Sequence, residues 1–464
     1  MEGQRSAARG VWRGVVIAGF AVIAALNLPG HLPFDSVTGL WEGRTHVRMS
    51  WGPRMYSAIL GFFDSLVPGT SLFAMASIMV TALSWAALPR LRSRVVWTGP
   101  LLLALAFALP QVLIYQGIIL RDVLFGDLTV AAFVLLAAAA RSWSKPRLRW
   151  GLLILAVAAL AFGALVRQNG GVVIAAWALA LGWIAARKNW RRGFAWGAAG
   201  LVAPICLAVA LNIVNPVHEP AGGRPHATGL RLLAHYDLMA ALAENPNYPL
   251  RRLAAERPLN LDVMRRAAPR GYSPHRVDFQ ERSEILGPAL WRMPAPLVAA
   301  QWRDMIVTDP VGYARRRLEV FRWVFLTPDL PACVPVLLGV DGLPDIEKQL
   351  GLVHGHWQQD TWLWDYANWW YPTPFYSHLT YALAAAAVAA FLLLRRDPQD
   401  IAMAALMVGT LGFTATFLVV SIACDYRYLY ALDLAAITGV LYVAVDPALR
   451  RRPPGPPEPP RRAS

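Results

Sequence analysis

Ten long apolar runs decide what this chain can become: 14–28, 69–88, 96–120, 123–140, 150–166, 171–186, 194–214, 377–394, 401–422 and 428–445. A helix needs about 17–25 apolar residues to cross a hydrocarbon core of ~30 Å, and nearly all of these runs are in that range. In lipid every backbone N–H and C=O must be paired within the protein, which leaves helices or closed barrels. Runs without a two-residue alternation select helices. The composition agrees: 56% of the 464 residues are apolar and 16% charged, with a mean hydropathy of +0.40. An ordinary soluble domain carries about 25% charged residues. The expected fold is an all-α polytopic membrane protein with about ten transmembrane helices, which excludes a soluble enzyme and a disordered scaffold.

Lys and Arg number 44 against 29 acidic residues, giving a formal charge of +15. A nucleic-acid binder would gather its arginines on one soluble face. Here they lie in short tracts between apolar runs, so no nucleic-acid partner is expected. Basic tracts mark cytoplasmic loops. Arg5, Arg9 and Arg13, then Arg90, Arg92 and Arg94, then the tracts 141–149, 187–192, 395–396 and 450–462, fall on one side if the N-terminus is inside. The short loops of the other side carry Arg44, Arg48, Arg54, Arg121, Arg167 and Arg427. Both termini are therefore expected in the cytoplasm.

The chain then divides into a seven-span membrane core with the first outer loop (1–214), an extracytoplasmic segment (215–376), three C-terminal spans (377–446) and a Pro/Arg-rich tail (447–464) expected to be disordered. The outer segment should be mainly helical, with helices near 229–243, 296–307 and 310–325. Its apolar stretch 331–343 is too short to span and reads as an interfacial or re-entrant piece. Cys206, Cys333 and Cys424 have no metal-ligand spacing. The last two fall outside, where disulfides are permitted, and both a bridge and two unpaired thiols stay open.

Candidate chemistry lies in the short outer loops. Asp35 follows the first span by a few residues, and Met55, Ile59, Phe62 and Phe63 recur beside it at the spacing of an interfacial helix. A carboxylate at the membrane surface is placed to take a proton from an acceptor hydroxyl. Partial desolvation would lift its pKa toward neutrality. The plain alternative is a loop carboxylate or a helix cap. In the second outer loop Arg121 and Asp122 mark the water boundary, while Asp127, a turn deeper, is either a functional acid or a partner for a neighbouring helix. The loops VRQNGG and ACDYRYLY supply Arg167, Asn169, Asp425, Arg427 and Tyr428. Outer arginines run against the topological bias. A guanidinium fork suits a phosphate, although its long stem also snorkels to headgroups. Trp357, Trp362, Trp364, Trp369 and Trp370 suit an aromatic belt or stacking against a sugar. His354, His356 and Asp360 are scattered metal-ligand candidates.

The outer-loop Asp, the stretch Trp51, Pro53, Tyr56, the Arg-Asp-Val-Leu-Phe start of the fourth span and the Arg-x-Asn-Gly turn occur in an order similar to the polytopic GT-C superfamily of glycosyltransferases. Protein O-mannosyltransferases and lipid A aminoarabinose transferases are distant members. HYDLMA (235–240), DPVGYARRRLEVF (309–321) and DYRYLY (425–430) resemble stretches of bacterial members without an assigned substrate. The resemblance implies an inverting transfer of a sugar from a polyprenyl-phosphate donor to a lipid, glycan or protein acceptor on the outer face of a bacterial inner membrane. By the same resemblance Asp35 and Asp122 are the catalytic carboxylates, and Arg121, Arg167 and Arg427 face the donor phosphate. Asn169, Tyr56, Trp364 and Tyr428 are further candidate substrate contacts. No metal ligand is assigned. The first loop lacks an Asp-x-Asp or Asp-Glu pair, which leaves a divalent metal open. The competing class is a transporter or flippase for an anionic lipid. It would need charged residues deep in several helices, where only Asp127 and Asp433 occur. The absence of an internal repeat weighs against it.

Overall fold

In the computed structural model, which describes residues 2–50, 52–186, 189–219, 229–281 and 283–449, the apolar runs fold as helices. The N-terminal part comprises α1 (Glu2–Asn27), α2 (Phe34–Thr45), α3 (Arg54–Leu66), α4 (Ser71–Leu91), α5 (Thr98–Phe107), α6 (Pro110–Leu113), α7 (Arg121–Arg141), α8 (Pro146–Val166), α9 (Gly171–Ala186) and α10 (Trp190–Ile213). The segment expected outside, called the outer segment for that reason, holds α11 (Gly229–Glu244), α12 (Arg251–Glu256), α13 (Pro258–Gly271), α14 (Asp278–Glu281), α15 (Leu286–Trp291), α16 (Ala295–Thr308), α17 (Pro310–Leu326), α18 (Pro344–Leu350) and α19 (Gln358–Trp370). The chain closes with α20 (His378–Arg395), α21 (Pro398–Val420) and α22 (Tyr430–Val445). Pro146 and Pro398 open α8 and α21 at the first helical position, where the missing N–H would have had no partner. Trp51, the pair at 187–188 and the tail from 450 onward lie outside the described residues.

Among the described residues nine helices are long and apolar enough to cross a membrane. The run 96–120 differs from its expected single helix: α5 and the Pro110–Gly117 segment meet at a bend of 71°. Pro110 is the cause. It removes an N–H from the helical ladder and drives Leu109 into an extended conformation. The broken segment still passes from one face to the other. Val96 N–H donates to Val445 O at 3.1 Å, and Gly117 O accepts from His31 N–H at 3.0 Å.

At one face Arg92, almost fully buried, pairs with Asp397 (3.2 Å), Asp400 (2.9 Å) and Asp446 (3.1 Å). This cluster ties the ends of α4, α21 and α22 together. Taking one partner from a buried pair typically costs about 3–5 kcal/mol, so it specifies which helix ends meet. Arg9 donates to Ser93 O at 3.2 Å, placing the chain's beginning at this face too. Between the faces, Asp127 receives Ser77 Oγ (2.6 Å), Thr81 Oγ1 (2.7 Å) and Gln116 Nε2 (2.8 Å). Of its two readings, pairing with neighbouring helices is the one the structure displays.

The opposite face carries α2, α3, the outer segment and the loops around 167–170 and 421–427. The expected helices near 229–243, 296–307 and 310–325 are α11, α16 and α17. Leu238, Met239, Leu253, Met264, Leu286 and Val298 form a core of their own beneath them. The stretch 331–343 is not a re-entrant helix. Pro331 opens only a single 3-10 turn, Pro331–Cys333, Pro335 removes a further N–H just after it, and no helix follows before Pro344. Leu32 N–H donates to Gly339 O (2.8 Å) and Asp341 N–H to Leu32 O (3.0 Å). Cys333 and Cys424 are joined by a disulfide, Cα–Cα 4.8 Å, which ties the outer segment to the loop before α22.

Candidate active site

Four loops converge where the outer segment meets the bundle. Asp35 sits in the first turn of α2, after the extended Pro33, where the helix dipole favours a negative charge. Two structures hold that turn in place. The 339–341 strand-like segment pairs with Leu32 on one side. On the other, α3 packs so closely that a Cβ on Gly43 would lie 2.2 Å from Ser57 O. Only glycine permits this approach.

Arg427 Nη2 lies 3.0 Å from Asp35 Oδ2, and Arg121 Nη2 lies 3.7 Å from the same oxygen. Arg121 opens α7, a position that opposes the helix dipole. Asp35 and the adjacent Asp122, 3.9 Å away, compensate it. Asp122, only 2% exposed, also pairs with Arg167. Arg427 Nε donates to Asp425 Oδ2 at 2.6 Å, and Asp425 caps the short turn that carries Arg427 by accepting its backbone N–H at 3.3 Å. Tyr428 lies between two guanidiniums, its ring 5.2 Å from that of Arg167 and 5.8 Å from that of Arg427. Three arginines and three aspartates from four separate loops thus make one cluster.

Burial works against ionisation of Asp35, but Arg427, Arg121 and Arg167 outweigh it and hold its carboxyl below the usual range. A pKa near neutrality, expected from desolvation, is therefore overturned by the guanidiniums. Burial dominates at Asp425, pushing it up to about 6.

Cavities open on this cluster. One of about 200 Å³ is lined by Asp35, Thr38, Tyr56, Ser57 and Arg121. A larger one, about 630 Å³, has a polar end at Arg121, Arg167, Asn169 and Tyr428 and apolar walls from Val166, Val172, Leu230, Leu233, Phe417 and Val420. Its volume is that of a small-molecule site. Pro53 and Arg121 belong to both linings. Tyr56 is buried with its hydroxyl 3.0 Å from Ser36 Oγ, and Asn169 donates to Thr416 Oγ1 at 2.8 Å. Trp364 is set apart: it is 44% exposed on α19 and lines neither cavity.

Glu42 is a residue the sequence reading passed over. It is fully buried and accepts from Met49 N–H (2.8 Å), Ser50 N–H (2.5 Å) and Ser57 Oγ (2.6 Å), folding the loop that carries Pro53 against the cavity. Its signal is a carboxylate seven residues after Asp35 on a helix of low amphipathicity. The scattered metal candidates go to separate partners: His354 to Glu347 (3.0 Å) and Asp360 to His31 (3.2 Å). Among the described residues no group of three or more His, Cys, Asp or Glu side chains gathers around a common point. The aspartates of the cluster each hold an arginine, so the residues present do not fit a divalent cation.

These features define a class: a polytopic helical membrane protein with an acid and an arginine cluster at the mouth of a membrane-level groove. No family model matches the chain, and no curated protein does. Among solved structures it is similar to the archaeal oligosaccharyltransferase AglB from Archaeoglobus fulgidus, in complex with an inhibitory peptide and a dolichol-phosphate. The identity is 14% and the TM-score 0.41, with 94% of this chain and 50% of AglB covered. It is also similar to ArnT from Cupriavidus metallidurans in the apo state, at 14% identity and a TM-score of 0.32, with 93% of this chain and 76% of ArnT covered. The chain spans about half the length of AglB.

Proposed function

We propose that the chain is an inverting glycosyltransferase that moves a sugar from a polyprenyl-phosphate donor to an acceptor hydroxyl at the extracytoplasmic surface of a bacterial inner membrane. The observation that carries this reading is the placement of Arg121, which lines both the Asp35 pocket and the polar end of the apolar groove. The groove takes the prenyl chain, the arginines face the phosphate, and the sugar lies over Asp35. The acceptor oxygen attacks the anomeric carbon as the bond from that carbon to the phosphate oxygen breaks. Asp35 takes the acceptor proton, and polyprenyl phosphate leaves with the bonding electrons. A single displacement needs one base, whereas a retaining hydrolase needs a second carboxylate as nucleophile. The arginines stabilise the charge that develops on the leaving phosphate. Asp122 touches Arg121 and Arg167 and lines neither cavity, which makes it a positioning residue.

The low pKa of Asp35 belongs to the arginine-bound state. A donor phosphate competes for the same guanidiniums, loosens the Arg427–Asp35 pair and returns basicity to the carboxylate when the donor is in place. A transporter would need ionisable groups available along its path. Asp127 is instead bound by hydroxyls and an amide, and Asp433 pairs with His378 at 2.9 Å.

The two carboxylates on Arg427 give a pH signature. Asp425 is ionised only above about 6, so below that pH Arg427 loses one of its two charged anchors. The acid limb of kcat/KM is expected near pH 6, since that parameter reports the free enzyme. It should vanish in Asp425→Asn, while Asp35, held low, contributes no limb in this range. A limb near pH 6 that persists in Asp425→Asn would assign it elsewhere.

The function itself is tested by mass analysis of surface glycans from cells with and without the gene. One sugar unit should disappear on deletion and return with the wild-type gene. An unchanged glycan profile removes the reading.

A further inference from the structure

A third cavity, about 430 Å³, lies on the far side of Pro53 from the apolar groove. Its walls come from α3, α8, α9 and α10. Arg48, Arg54, Gln168 and Asn212 stand at its polar end, and Leu165 and Val209 are among its apolar residues. Pro53, Gln168 and Gly171 line both this cavity and the first groove, so they form the ridge between the two. Gly52 and Pro53 connect it to the pocket of Asp35. Two grooves separated by a ridge therefore each border the pocket that holds Asp35.

The α10 wall faces the bilayer. Ile205 and Val209 line the cavity and remain about half exposed on a helix apolar enough to span. From Ile205 to Asn212 the wall runs roughly 10 Å along α10 at 1.5 Å per residue, which carries the cavity below the headgroup level. The polar end is cationic. Arg54 donates to Asn212 Oδ1 (3.1 Å) and Val217 O (3.3 Å), neutral oxygens that fix the guanidinium without cancelling its charge. Arg48 is held by Glu219 and by Ser50 O (2.9 Å).

Resting on the proposed transferase function, we propose that this cavity binds the acceptor, and that the acceptor is a second lipid whose anionic, phosphate-bearing headgroup carries the hydroxyl. Single displacement requires donor and acceptor at the anomeric carbon together, from opposite directions. The ridge keeps the two apart until both reach Asp35. A protein or soluble glycan would arrive from water and would have no use for a wall of Ile205 and Val209 sunk in hydrocarbon.

The test uses the full chain in vesicles of phosphatidylcholine, supplied with radiolabelled polyprenyl-phosphate sugars extracted from the source membranes. A second set also contains the total anionic lipid fraction of those membranes. Label should pass into a new organic-soluble product only in the second set. Val209→Phe, which adds bulk at a bilayer-facing position where folding tolerates it, should raise the acceptor-lipid concentration for half-maximal rate by roughly tenfold, or 1.4 kcal/mol. The half-saturating donor concentration should not move. Arg54→Ala should do the same and Arg54→Lys should partly restore it, since the headgroup needs charge at that point. Label entering only protein or water-soluble glycan would overturn the lipid acceptor while leaving the transferase intact. An unchanged acceptor requirement in both Val209→Phe and Arg54→Ala would overturn the cavity's assignment. Absence of transfer to every fraction, in membranes where the whole source extract is supplied as acceptor, would overturn the transferase reading and this inference with it.

Discussion

Asp35→Asn is expected to lower transfer by about 10²–10⁴-fold, the usual range for loss of a general base, with unchanged expression and helix content. The substitution is close to isosteric, and the new amide oxygen can still accept from Arg427, which lies 3.0 Å from Asp35 Oδ2. The turn is also braced independently through the pairing of Leu32 with Gly339 and Asp341. What disappears is the ability to take a proton. Asp122→Asn is the contrasting case. Its carboxylate holds Arg121 and Arg167, so it should weaken donor binding more than the chemical step, raising the donor KM. A measured rate for Asp35→Asn near wild type, together with an inactive Asp122→Asn, would reverse the two roles.

The arrangement behind this contrast was partly legible in the sequence. Asp35, Arg121, Asp122, Arg167, Arg427 and Tyr428 announce themselves as polar residues at the ends of apolar runs, where hydropathy is informative because lipid penalises polar groups so steeply. That they gather at one point follows from the spans alternating direction. Hydropathy is blind elsewhere. Pro110 leaves a 25-residue apolar run looking continuous, although proline chemistry breaks it. The partner of a buried carboxylate is a tertiary fact: hydropathy allows Asp127 two readings, and only the fold brings Ser77, Thr81 and Gln116 around it. The same limit hid Glu42 and the pairing of Leu32 with residues some 300 positions away. The expectation of a near-neutral pKa at Asp35 failed for a related reason. Desolvation can be guessed from depth, but the three guanidiniums that overcome it come from three other loops.

Arg427 carries the second large expectation. Arg427→Ala should lower transfer by roughly 10²–10³-fold, corresponding to about 3–4 kcal/mol of transition-state stabilisation. Arg427→Lys should lower it by at least about tenfold, or ~1.4 kcal/mol. The geometry explains why a conservative change is not conservative here. One guanidinium uses Nε toward Asp425 at 2.6 Å and Nη2 toward Asp35 at 3.0 Å. A planar fork reaches both carboxylates at once and keeps a further edge for phosphate. An ammonium is a point charge, and reaching one carboxylate draws it from the other. Arg44 supplies the control, because its fork is taken bidentately by Asp64, Nε to Oδ2 at 2.9 Å and Nη2 to Oδ1 at 2.6 Å. Its Nη1 donates to Leu350 O at 3.3 Å. Arg44→Lys should therefore leave transfer within about twofold of wild type, since an exchange at a partly exposed pair is worth less than about 1 kcal/mol. If outer arginines only snorkelled to headgroups, lysine would be silent at both positions. A silent Arg427→Lys would remove the phosphate contact, leaving Arg427 as a structural tie between Asp35 and Asp425.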